Sequence, residues 1–288
     1  MQRGTWNGTI SGSPEADEAS CLNLITGGKL EPLPVLLSIP HGGTQVPEEL
    51  QDRVCLQPVD VWNDIDAYST QVYDLGEDAA IVMTTPYART FVDLNRAHDD
   101  RPPENIDGVV KSHTCYKRLI YREGHEPDKA LTEALLERYY WPYHRQIRAS
   151  VSGQSSAAVQ LGLDCHTMSD LGPDVAPDPH GKRPLVCLGN AHGRACPEEM
   201  LTRMAACFVA AFACRPSDVT ENAPFAGGYI TRAYGGNPIP WIQVEMNQAM
   251  YLEPRRSMDE LPMADPERLQ AIRQQFEQAL KLFFSGST

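Results

Sequence analysis

The stretch PVLLSIPHGGTQVP, residues 34–47, decides how the chain is read. Its opening run is apolar without regular polar alternation, which suits a strand covered on both faces of a sheet. His41 follows at once, and then Gly42 and Gly43. One reading is a tight turn that contains a histidine. The other is a metal ligand or catalytic base held at the mouth of a sheet, with glycines that leave room for water and substrate. Ligands of open α/β sheets gather at the carboxyl ends of strands, so the second reading directs attention to the other strand ends.

Four further runs share this character: AAIVMTTPY at 79–87, AVQLGLDC at 158–165, RPLVCLG at 183–189 and PWIQVEMN at 240–247. Helical patterns lie between and after them. Asp265 is placed to cap a helix with Pro266 at its first position and Leu269, Ile272, Phe276, Leu280 and Phe283 along one face. A second helix follows Pro197, and a third covers 128–150, where Pro142 is expected to kink or break it. Strands alternating with helices predict an α/β fold, a mostly parallel sheet with helices on both faces. A single domain is expected over 26–288, after a polar leader at 1–25. The polar, turn-rich segment 98–127 reads as a long functional loop or small subdomain.

A formal net charge of −13 weighs against nucleic acid or an anionic membrane as partner. No apolar run reaches the roughly 18 residues that span a bilayer, and the N-terminus has no basic start with an apolar centre. The eight cysteines form no CxxC pair and read as reduced thiols, so a cytoplasmic protein is expected. Oligomeric state is left open.

The strand ends hold an unusual set of polar residues. His41 ends the first run, Arg89 and Arg96 follow the second, Asp164 and His166 end the third, and Glu245 and Asn247 close the last. A catalytic zinc takes three histidine or carboxylate ligands and leaves a position for water. His41 and His166 are the nitrogen candidates, and WNDIDAYSTQVYDLG offers Asp66, with Asp64 in reserve. Asp164 lies two residues before His166, on the same strand face, where it can orient the imidazole. Gln243, Glu245 and Asn247 share one face of an inner strand, and polar groups there need partners or a cavity. Arg89 and Arg96 flank an apolar VDL core, so that either could bind an acidic ligand or close a salt bridge. His144, in PYHRQI, is a candidate for the pocket wall or a structural residue bonded to backbone. NAPFAGGYITR, with Asn222, Gly227, Gly228 and Tyr229, reads as a flexible loop closing over a ligand.

The ordered set IPHGG, DIDAYSTQVYD, ARTFVDLNR, YYWPYHRQI, LDCHTMSD, NAPFAGGYIT and QVEMNQAMY resembles the N-formylglutamate amidohydrolase family, relatives of the zinc carboxypeptidases and aspartoacylases. The resemblance runs from about residue 34 to 252. It implies a three-layer α/β/α sandwich of the zinc-carboxypeptidase type, one Zn2+, and hydrolysis of the formamide of N-formyl-L-glutamate, as in histidine degradation. It implies metal binding by His41, Asp66 and His166, a general base in Glu245 and carboxylate recognition by the arginine motif; with the residue reading this gives a catalytic role for Arg89 and expected substrate contacts from Arg96, Asn95, His144, Asn222, Gly227, Gly228, Tyr229 and Asn247. The carboxypeptidase relatives carry H-x-x-E, whereas Thr44 stands three residues after His41 here, which moves the carboxylate ligand to Asp66. Gly42 and Gly43 also stand where many members have a serine beside the glycine. Two alternatives stay open: a zinc hydrolase of another N-acyl amino acid or small peptide, and a non-catalytic binding protein on the same fold.

Overall fold

The computed structural model of the protein describes residues 31–152, 159–174, 176 and 178–286. The leader expected at 1–25 lies outside them. Strands β1 (Leu33–Ile39), β2 (Ala79–Thr84), β3 (Leu161–Met168), β4 (Val186–Gly189), β5 (Val219–Glu221) and β6 (Trp241–Asn247) form one sheet in the order β2-β1-β3-β6-β4-β5. β2, β1, β3 and β6 are parallel; β4 pairs antiparallel with β6 and parallel with β5. Every residue of β3 and of β6 is buried, as the unbroken apolar runs predict. β5 is absent from the sequence reading because three residues, Val-Thr-Glu, are too short to carry a periodic signal.

Alternate side chains of β1 divide two cores. Val35, Leu37 and Ile39 pack with α2 (Ser69–Tyr73), α5 (Glu198–Phe212) and α7 (Pro266–Ser285), through Tyr73, Met204, Phe208 and Phe276. Leu36 faces the other way, toward α1 (Pro58–Asp64), α3 (Lys129–Leu135), α4 (Trp141–Val151) and α6 (Tyr229–Tyr234), through Val61, Leu135, Tyr140, Ile147 and Ile230. Sheet and flanking helices make the three-layer α/β/α sandwich. Gly162 is required in β3 because the Trp241 ring lies where its Cβ would stand.

The α7 cap is as predicted: Asp265 Oδ1 accepts from Glu267 N at 2.9 Å and Arg268 N at 3.2 Å. Pro142 does not break its helix. A π-turn, Leu136–Tyr140, lies immediately before Trp141, whose N–H donates to Leu136 O. The wider turn precedes the residue that has no N–H to give, and α4 continues beyond it.

Segment 98–127 contains no helix or strand, only turns and isolated bridges such as His113 to Leu119. It still buries Val109, Val110, Lys111, Ile120 and Tyr121. All seven cysteines among the described residues are free. No described helix is long and apolar enough to cross a membrane.

Candidate active site

β1 hands His41 to the carboxyl edge of the sheet through Pro40, and its neighbour β3 brings Asp164 and His166 to the same edge. Glu245 of β6 is the register partner of His166. Asp66 arrives from the loop after α1. Its N–H donates to His41 O at 3.1 Å, and its Oδ2 accepts from Thr167 N at 3.1 Å. Backbone from two strand ends therefore sets this carboxylate. Asp66 Oδ2 stands 3.0 Å from His166 Nδ1 and 3.6 Å from His41 Nδ1. One ligand atom from each of His41, Asp66 and His166 lies within 4.8 Å of the others, and all three residues are buried.

Each imidazole is oriented by a carboxylate on its far side. His41 Nε2 donates to Asp93 Oδ1 at 2.8 Å, and His166 Nε2 donates to Asp164 Oδ1 at 2.8 Å. With Nε2 of each ring committed, Nδ1 of each ring faces Asp66. His41 Nδ1 is buried without a hydrogen-bond partner, and such an orphan calls for an explanation. A cation supplies one: two imidazole nitrogens and a carboxylate oxygen are the donor set of a catalytic zinc. Burial acts to raise the Asp66 pKa, but the two imidazoles hold its carboxyl well below the usual carboxylate range. Burial acts to lower the His166 pKa, and Asp164 and Asp66 outweigh it.

Asp64, the reserve ligand, borders the same cleft but is otherwise engaged. It accepts from Lys111 Nζ at 3.3 Å and from Cys115 N at 2.6 Å. Lys111 is fully buried and also lies 3.7 Å from Asp93 and 2.6 Å from Asp107. Sequence reasoning missed Lys111 because lysine in a polar segment ordinarily reads as exposed. It also missed Asp93 as the orienter of His41, although an aspartate between Val92 and Leu94 was a usable sign of a buried, paired carboxylate.

A cleft of about 640 Å³ opens over this group, lined by His41, Asp66, His166, Glu245, Arg89, Arg96, Asn95, Gly227 and Gly228 among others. Burial pushes the Glu245 carboxyl up to about 8, with His166 acting in the opposite direction. Gln243 Nε2 donates to Glu245 Oε1 at 2.9 Å and fixes its rotamer. Arg89 gives Nε and Nη2 to Asp93 Oδ2, at 3.1 and 2.7 Å, and its Nη1 stands 3.9 Å from Asp66. Arg96 Nη2 donates to Asp107 at 2.7 Å, while its Nε is buried without a hydrogen bond, 4.0 Å from Asp93 Oδ2. Asn95 Oδ1 accepts from Ile230 N at 2.7 Å, and its amide donates to Asp164 Oδ2 at 3.2 Å. Asp164 is fully buried behind His166 and accepts from Thr231 Oγ1 at 2.9 Å.

Four residues expected in the pocket lie elsewhere. His144 is held between Tyr234 Oη, 2.8 Å from Nδ1, and Leu94 O, which accepts from Nε2 at 3.0 Å. Burial lowers its pKa to about 4, so it is a neutral core histidine. Tyr229 packs on His144, with ring centroids 5.7 Å apart, and does not line the cleft. Asn247 Nδ2 donates to Pro184 O at 3.0 Å and its Oδ1 accepts from Ala249 N at 2.9 Å, which ties β6 to the approach to β4. Asn222 accepts from Asn190 N at 3.0 Å and donates to Asn190 Oδ1 at 3.0 Å, bracing a neighbouring turn. Gly42 and Gly43 also lie outside the cleft wall. A Cβ on Gly42 would strike Ser69 and Thr70, and one on Gly43 would strike backbone at 85–87. These glycines permit close packing behind His41 and do not clear space for substrate.

Comparison with known proteins agrees with this architecture. The family model for N-formylglutamate amidohydrolase matches residues 33–252. The N-formylglutamate deformylases of Pseudomonas putida and Pseudomonas aeruginosa are each 30% identical over 227 residues, which cover 77% of this chain and 82% and 83% of theirs. A crystal structure of N-formylglutamate amidohydrolase from Ralstonia eutropha JMP134 superposes with a TM-score of 0.70 at 18% identity, covering 89% of this chain and 95% of that one. A gene product of Agrobacterium tumefaciens superposes with a TM-score of 0.62 at 15% identity, covering 88% and 90%. At those identities the superpositions establish the shared fold.

Proposed function

Because the chain belongs to the N-formylglutamate amidohydrolase family, we propose that it hydrolyses the formamide of N-formyl-L-glutamate, giving formate and glutamate, with one zinc ion. The observation that carries this reading is the buried His41, Asp66 and His166 group opening into a cleft beside Glu245, its neighbour on the adjacent strand. His41 and His166 would hold the ion through Nδ1, with Asp66 as the carboxylate ligand. A zinc ion there supplies Lewis acidity, which acidifies a water and polarises the formyl carbonyl.

The remaining work falls to side chains of this chain. Glu245 takes the proton of the attacking water on its carboxylate and returns it to the departing amine. A carboxyl that burial raises to about 8 holds a proton firmly enough to serve in that second, acidic role, and a nearby cation favours the ionised form needed for the first. Arg89, fixed by Asp93, presents its remaining edge toward Asp66 and the cleft, where positive charge steadies the oxyanion of the tetrahedral species. Arg96 grips a substrate carboxylate beside Asn95. Asp93 and Asp164 hold the imidazoles in the tautomer that a metal requires.

Metal analysis paired with formate release tests the proposal. Purified protein should contain about one zinc per chain and release formate from N-formyl-L-glutamate. Glu245→Gln should retain the metal and lose turnover by at least about 100-fold. Zinc-loaded protein that releases no formate from any N-formyl amino acid, with Glu245→Gln indistinguishable from the parent, would sink it.

A further inference from the structure

Four arginines line the cleft: Arg89, Arg96, Arg183 and Arg232. Three of them are already neutralised by the protein. Arg89 is bonded to Asp93, Arg96 to Asp107, and Arg183 to both oxygens of Asp178. Arg232 differs. Its Nη1 donates to the backbone carbonyl of Gly227, and no carboxylate partner is found for it among the described residues. A carbonyl orients a guanidinium but leaves its full charge unbalanced. In a protein of net charge −13, an exposed cation that lines a cleft without a carboxylate partner among the described residues is a selective feature of that cleft.

The position of Arg232 is built. Gly227 adopts φ +137°, a conformation that L side chains rarely adopt, which turns the loop before α6. Gly228 N donates to Gln243 Oε1, and Ile230 N donates to Asn95 Oδ1 at 2.7 Å. The start of α6 is thus bolted to β6 and to the Asn95–Arg96 segment, and Arg232 borders the same space as Arg96 from another wall.

We infer that Arg232 is a specificity-determining residue that receives the second carboxylate of a dicarboxylic N-acyl amino acid, Arg96 receiving the first. The inference rests on the proposed function and deepens it by dividing substrate recognition between a cation that the protein has already balanced and one left for the ligand. A ligand with one carboxylate leaves Arg232 uncompensated and gains nothing from it.

The zinc-loaded protein and its Arg232→Gln and Arg232→Lys variants test this with two probes. With N-formyl-glutamate, Arg232→Gln should lower kcat/KM about 10- to 100-fold, mainly through KM, as expected for a charged hydrogen bond. With N-formyl-glutamine it should change nothing, and Arg232→Lys should recover part of the loss. Glutarate, which has two carboxylates and no amide, should bind the parent more tightly than butyrate by calorimetry, and Arg232→Gln should abolish that difference. Glutarate binding that Arg232→Gln leaves unchanged, or equal losses on both formyl substrates, would overturn the assignment. A parent that releases no formate yet loses its glutarate preference in Arg232→Gln would uphold the subsite and reject the hydrolase reading.

Discussion

The floor and the rim of the cleft treat charge in opposite ways. On the floor, Arg89 and Lys111 are surrounded by Asp64, Asp66, Asp93 and Asp107, so that every formal charge faces its opposite. At the rim, Arg232 donates to a backbone carbonyl and has no carboxylate partner among the described residues. Buried ions are costly unless paired, which commits the floor's charges to internal pairs and leaves only the remaining edge of Arg89 toward the cleft. Its ion pairs spend their electrostatics on holding His41 and Asp66 in place. The rim is open to solvent, where an unpaired guanidinium costs little, and the carboxylate subsite we infer lies there.

Substitutions on the floor should break the site, and those at the rim should retune it. His166→Ala should remove the metal and lower formate release by at least about 1,000-fold; retention of stoichiometric zinc, read by elemental analysis, would exclude His166 as a ligand. Lys111→Met should destabilise the fold by about 3–5 kcal/mol, because it leaves two buried carboxylates, Asp64 and Asp93, and the half-buried Asp107 short of a partner. Denaturant midpoints measure this, and a change below about 1 kcal/mol, the range of a surface pair, would show that the cluster is not coupled. Arg96→Gln should lower kcat/KM for N-formyl-glutamate about 10- to 100-fold with little loss of metal, and equal loss of metal would move Arg96 from rim to floor.

The last effect is one of pH. In metal-free protein Glu245 sits at about 8 against an ordinary 4.5, so the folded chain binds a proton that the unfolded chain releases. Its contribution to stability is fully present below about pH 4.5 and is lost as pH rises through about 8, with a slope of at most about 1.4 kcal/mol per pH unit. The stability difference between the parent and Glu245→Gln should shrink or reverse across that window. A difference constant from pH 5 to 8 would place Glu245 in a wetter setting than its burial indicates.

The strands that carry the site were legible because each is sheathed on both faces: β1, β3 and β6 read as apolar runs that end on polar residues. The absent glutamate at Thr44 pointed to a carboxylate from another segment but did not separate Asp66 from Asp64; the structure distinguishes their surroundings, since Asp64 is engaged by Lys111 and Cys115 N. His144 and Asn247 misled for one shared cause. A polar residue on a buried element needs partners, and the sequence cannot tell whether those partners are a ligand or, as here, Tyr234, Leu94 O and Pro184 O. Lys111 was hidden by its own type, and Arg232 by lying just after the motif that drew attention to Gly227 and Gly228. β5 was too short to register at all.

One pairing described above has a mechanical side. His166 and Glu245 face each other across a parallel ladder whose register runs unbroken from Gly162 with Trp241 to Met168 with Asn247. No break in the ladder lies between His166 and Glu245, so their relative placement is fixed by backbone pairing. On the proposed reading, the ladder sets the spacing between metal ligand and base, and any adjustment to substrate falls to the loops around them.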